Sequence, residues 1–156
     1  MGYKGIYFQK EKTGSPVKES VSDFSIWCKE MPFQLFSDAK ELQKTDWMDE
    51  HGDDEYIPNE LKLQAYSMDV TFCYKGDMGT ANDKIKAFMQ YLTGMDGGGS
   101  TFKVYDGFTR IGRQHVRYES FDPDGEIVRD EHEGDVIVFK VKLKVNDPVT
   151  DIYLTK

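Results

Sequence analysis

The sequence has 156 residues, about the size of one compact domain and too few for two independent cores. Lys and Arg total 20 against 28 Asp and Glu, a formal net charge of -8 that repels polyanions and argues against tight nucleic-acid binding. Hydrophobic residues make up 38%, with a 13% aromatic share that can fill a core, and no apolar run approaches the roughly 20 residues that cross a bilayer. A soluble, folded protein with no membrane partner is the expectation.

Residues 1–20 are polar and broken by Gly14-Ser15-Pro16. They are expected as an N-terminal arm with one short strand over 3–8, ordered by a neighbour, ahead of a single domain over 21–156. The start carries neither an apolar leader core nor a myristoylation signal, so no export or lipid anchor is expected. Residues 22–36 gather Phe24, Ile26, Trp27, Phe33, Leu35 and Phe36 around Pro32, which predicts strand pieces rather than a helix. Residues 37–60 are polar and too long for a simple turn.

Residues 61–75 hold the clearest strand. Tyr66, Met68, Val70, Phe72 and Tyr74 alternate with more polar neighbours, while Leu61, Leu63 and Ala65 sit on the opposite parity, which predicts a bulge or twist near Ala65. Over 80–92, Ala81, Ile85, Phe88, Met89 and Leu92 fall at helical spacing, with Thr80 as expected cap and Gly94 as stop. Gly97-Gly98-Gly99-Ser100 leads to a hairpin about Asp106-Gly107. A strand over 114–121 follows, then a turn at Asp122-Pro123-Asp124-Gly125 and a short return over 126–129. In the final strand Ile137, Phe139, Val141, Leu143 and Val145 alternate with Val138, Lys140, Lys142 and Lys144, giving one apolar and one basic face. The fold class expected is mainly β (α+β), an antiparallel β-sandwich or barrel with one covering α-helix.

Chemical motifs fail at required positions. His51, His115 and His132 lack any zinc-ligand spacing, and the calcium-like trio Asp49, Asp53 and Glu60 has Asp54 where the loop needs glycine. Asp122, Asp124 and Glu126 fit a turn better than an acid/base pair, and the glycine run has no Lys-Ser/Thr of a phosphate loop. Cys28 and Cys73 are far apart in apolar segments, which predicts reduced thiols and synthesis in a reducing cytoplasm. Arg113, His115 and Arg117 are expected on one strand face, paired with neighbouring carboxylates. No catalytic residue, cofactor or metal is expected. The apolar side chains Trp47, Met48, Tyr56, Ile57 and Pro58, set among acidic residues, are expected as a subunit interface, because Trp and Tyr anchor interfaces at small entropic cost.

The order of an N-terminal strand region, a polar loop carrying Trp47 to Pro58, a long strand, the helix with Ile85, Phe88 and Leu92, and an antiparallel finish resembles the distal tail proteins of long-tailed bacteriophages over residues 20–148. That resemblance implies a structural protein of a phage or prophage virion tail, made in the host cytoplasm. It implies a homo-hexameric ring joining the tail tube to the baseplate, hub or tip, with DNA passing through the lumen unbound. A tail tube, tail terminator or other ring component is the alternative within the class. A small hydrolytic enzyme or ligand-binding protein is the rival from outside it.

Overall fold

The computed structural model describes residues 5–45, 47–122, 126–130 and 134–155. In chain order these form β1 (Ile6–Lys10), β2 (Val17–Glu19), α1 (Ser20–Phe24), β3 (Ile26–Glu30), β4 (Lys44–Thr45), β5 (Asp54–Glu55) and β6 (Tyr66–Lys75). There follow α2 (Met78–Thr93), β7 (Thr101–Asp106), β8 (Ile111–Phe121), β9 (Glu126–Asp130) and β10 (Gly134–Asp147). The protein is mainly β, with 42% in strands and 15% in helices, and its antiparallel sheet of seven strands curls into a half-barrel with one helix packed across it.

The strand order is β2-β1-β7-β8-β10-β6-β3, with β9 also on β10. β10 is the hub. Ten register pairs, from Val136 opposite Lys75 to Val145 opposite Tyr66, join it to β6. On its other side it meets β8 through Val141–Asp147 and β9 through Gly134–Val138. Both β8 and β9 run antiparallel to β10, so they run in the same direction as each other. The short return expected over 126–129 is therefore corrected: β9 runs in the same direction as β8 and pairs with the same edge of β10. Residues 123–125, where the turn was expected, lie outside the described residues.

The alternation in the sequence sets the two faces. Phe72 opposes Phe139, Val70 opposes Val141 and Met68 opposes Leu143, and all six are buried on the concave side. The α2 helix covers that side with Ala81, Phe88, Tyr91 and Leu92. Phe88 sits at the centre of an aromatic cluster, 5.0 Å from Phe72, 5.2 Å from Phe24 and 5.8 Å from Phe8, ring to ring. These are edge-on contacts, the arrangement that ring quadrupoles favour.

Local chemistry moves several expected boundaries. The helix starts two residues earlier than the 80–92 spacing predicts, because Asp77 is its cap and accepts from the N–H of Gly79, while the Thr80 hydroxyl donates to the Asp77 carbonyl. Gly94 ends it in the left-handed region, and a side chain there would strike the backbone of Gly99. Ser20–Phe24 is a single turn of helix rather than strand; Ser25, at φ 58°, closes it by donating its N–H to the Val21 carbonyl and turns Phe24 inward. The hairpin after β7 has a longer turn than Asp106-Gly107, since the Asp106 carboxylate accepts from the Phe108 N–H and the Thr109 hydroxyl and draws 107–110 into the loop. Strand β6 begins at Tyr66, the point where the parity of Leu61, Leu63 and Ala65 gives way.

The stretch expected as an N-terminal arm is, over its described part, built into the sheet. β1 lies between β2 and β7, and its Ile6, Phe8 and Lys10 all point inward and are buried. Lys10 reaches the carbonyls of Tyr91 and Gly99 and lies 3.5 Å from Asp96, so it ties down the C-terminal end of α2. Burial pulls its ammonium below the ordinary value, against the raising effect of Asp96.

Because Phe88 is wholly buried among three rings, Phe88→Ala should destabilise the fold by about 3–5 kcal/mol, read as a lowered urea midpoint. Partial burial raises the Asp147 carboxyl, but donors from the Gln114 side chain and the N–H groups of Thr150 and Val149 outweigh it and bring it down to about 2. Its contribution is present above the unfolded value of 3.8 and is lost as pH falls through 2. Asp147→Asn should flatten the pH dependence of stability in that window, measured by thermal melts at closely spaced pH.

Candidate assembly surface

Between Phe36 and Ala65 the chain leaves the half-barrel and comes back. Its outgoing and returning limbs pair with each other: the Ser37 hydroxyl donates to the Gln64 carbonyl, Ala39 bridges Leu63, and the Lys40 N–H meets the Lys62 carbonyl at 2.8 Å. Further out the Tyr56 N–H meets the Gln43 carbonyl at 3.0 Å, and β4 and β5 form a two-stranded sheet of their own. The tip turns through Gly52, whose φ of 77° is the left-handed conformation glycine adopts freely. The expected polar loop is thus a long antiparallel arm.

The five residues expected at an interface sit on this arm. Trp47 is 52% exposed, Tyr56 74% and Ile57 69%; Met48 is fully exposed and Pro58 half-buried. Trp47 and Met48 belong to the tip, and Tyr56, Ile57 and Pro58 to the returning limb. Leu35, Phe36 and Leu61, exposed at the base, extend the apolar surface beyond the five residues expected from the sequence. Their signal was available: apolar residues flanking a polar stretch that has neither strand nor helix period. Apolar side chains displayed on a two-stranded projection have too little chain around them to bury each other.

Charge is just as unevenly placed. From Lys44 to Glu60 seven carboxylates stand against the single Lys44, so -6 of the chain's -8 lies on the arm. Lys44 pairs with Asp53 at 3.6 Å and Lys62 with Glu60 at 2.8 Å, both exposed, which holds the Glu60 carboxyl below the usual range. Asp49, Asp53 and Glu60 do not converge, and among the described residues no group of three His, Cys, Asp or Glu is placed to hold a metal.

The other chemical candidates are structural in their contacts. Arg113, His115 and Arg117 do not share a face, which corrects the expected basic strip. A register shift opposite Phe102–Val104, with His115 at φ 54°, puts a bulge between them. Arg113 turns inside, where it bonds Asp151 at 2.7 Å and the Gln34 carbonyl at 3.2 Å and lies against the Phe33 ring. His115 stays outside on Glu11, 2.8 Å away, and Arg117 opposes Lys144 on the convex face. Cys28 and Cys73 belong to neighbouring strands but point to opposite faces, opposite Phe72 and Trp27 respectively, so no disulfide joins them. Burial pushes the Cys28 thiol up to about 12, far from a nucleophilic thiolate. Tyr7, Tyr105, Arg110 and Tyr153 line an open cleft beside the C-terminal segment. His132 lies outside the described residues. No helix among the described residues is long and apolar enough to cross a membrane.

Because Trp47 and Tyr56 lie outside the core, the pair Trp47→Ala and Tyr56→Ala should change the unfolding free energy of the monomer by less than about 0.5 kcal/mol, read by urea titration at high dilution. Compared with known proteins, the chain matches no family model and no curated sequence.

Proposed function

We propose that this protein is a non-enzymatic structural subunit that assembles with copies of itself into a ring, and that the ring belongs to a bacteriophage tail. The observation that carries the reading is the projecting arm, which displays Trp47, Met48, Tyr56 and Ile57 away from the half-barrel core. Exposed aromatic anchors on an extended limb suit burial against a neighbouring subunit, and homo-oligomers with closed symmetry are the usual outcome of such self-recognition. The curled antiparallel sheet with one covering helix suits a tail component such as the distal tail ring that joins tube to baseplate or hub. A tail tube or terminator ring would use the same features. The acidic arms would also keep passing DNA from adhering wherever they face the lumen.

Light scattering on the purified chain tests the reading. A hexamer of the 18.0 kDa chain would weigh about 108 kDa, and negative-stain images should show rings. The Trp47→Ala and Tyr56→Ala pair should move the mass toward the monomer. A single 18.0 kDa species at every concentration and salt level, with no rings in images, would end the self-assembly claim.

A further inference from the structure

The convex face of the sheet offers a counterpart to the arm. Across β3, β6 and β10 one row reads Trp27, Cys73 and Val138, three outward side chains in register. With Val136 they line a shallow apolar groove bordered by Lys29 and Lys75, and the Lys75 ammonium lies 5.5 Å from the centre of the Trp27 ring. From Val138 the same strand continues outward through Lys140, Lys142 and Lys144, spaced about 7 Å apart by the two-residue repeat. Arg117 of β8 stands beside Lys144. Asp69, Glu119 and Asp122 dilute this patch without reversing it, three carboxylates against Lys140, Lys142, Lys144 and Arg117. The Ser67 hydroxyl, with Lys142, Arg117 and Lys144 nearby, holds Glu119 below the usual carboxylate range.

We propose that the acidic arm of one copy docks across the convex face of β6 and β10 of a second copy. In that arrangement Trp47 and Tyr56 anchor over the Trp27–Cys73–Val138 groove, and the arm's carboxylates face the lysines of β10. The inference rests on the self-assembly reading and supplies the surface that reading leaves open. Two features of the molecule select this occupant. The arm holds -6 of the chain's -8, so most of the charge that would oppose self-association sits on the segment that meets the cationic strip. The order of chemistry also matches: on the arm, apolar anchors adjoin the carboxylates Asp49, Glu50, Asp54 and Glu55, as on β10 the apolar groove adjoins the lysines. A limb of about 13 residues in extended form reaches up to roughly 40 Å, far enough to cross onto a neighbour. Set head-to-tail, with each arm on the face of the next copy, such contacts generate rings when the rotation closes.

Complementary charge reversal tests the contact. One full-length variant carries Lys140→Glu, Lys142→Glu and Lys144→Glu; the other carries Asp49→Lys, Glu50→Lys, Asp54→Lys and Glu55→Lys, which turns the arm from -6 to +2 and spares the Asp53 that pairs with Lys44. Circular dichroism and thermal melts check that both fold as the wild type does. Each variant alone should associate at least about 100-fold more weakly than wild type, because like charges then face each other. An equimolar mixture should recover assembly, since every arm then meets a face of opposite sign, and the recovered complex should weaken with added salt. If both variants assemble like wild type, the docking face is wrong while self-assembly stands. If each fails alone and the mixture also fails, the two surfaces do not meet. A wild type that is monomeric throughout overturns both this contact and the proposed function.

Discussion

Ten consecutive register pairs between β6 and β10 hold the rest of the molecule in place. Every second pair puts two apolar side chains on the concave side, so one ladder supplies both backbone hydrogen bonds and, through Phe72 against Phe88, part of the surface that α2 covers. The neighbours of this ladder depend on it. β3 pairs with the sheet only through β6, and β8 and β9 share the other edge of β10. The edge strands β2 and β3 are consecutive in the chain, joined through α1 and Ser25, so the sheet must curl far enough for one short helix to bridge its two sides. Phe24 on that bridge enters the same aromatic cluster as Phe8 and Phe88, and this fixes the closure from inside.

The arm stands apart from that economy. Its limbs satisfy each other's backbone groups from Ser37–Gln64 outward, but they enclose no core. The division of labour is clear in the charges as well: the half-barrel with its flanking segments is close to neutral, and the projection is strongly acidic. A body built from buried rings and a limb carrying exposed ones are different solutions to the same composition. The first lowers the energy of a single chain, and the second leaves its apolar surface open to solvent.

The parts legible in the sequence were those whose period reports burial directly. The alternation in β6 and β10 and the helical spacing of Ala81, Phe88 and Leu92 each describe one face against one core, and the structure places them so. What escaped had no such signature. The inward Lys10 hid the alternation of Ile6 and Phe8, because a charged residue reads as outward unless its carbonyl partners are known. The bulge at His115 turns Arg113 and Arg117 to opposite faces, and a backbone irregularity of that kind has no required residue type. The composition of Asp122-Pro123-Asp124-Gly125 is that of a reversal, yet the flanking strands keep one direction because β10 is long enough, at 14 residues, to pair with both in succession. The arm was legible as five apolar residues within a polar stretch but not as a paired structure, since two polar limbs held by backbone bonds leave no hydrophobic pattern.

The hub position of β10 also sets a timetable during synthesis. Lys75 waits for Val136, 61 residues later, and Tyr66 waits for Val145, 79 residues later. At roughly 5–20 residues per second, the ribosome leaves β6 without its main partner for about 3–16 s. Through that interval the strand carrying Met68, Val70, Phe72 and Tyr74 has β3 on one side but an open edge on the other, the kind of edge that other nascent chains can join. The α2 helix follows β6 at once and forms from local contacts, so it can shelter the apolar side of β6 while the edge stays open.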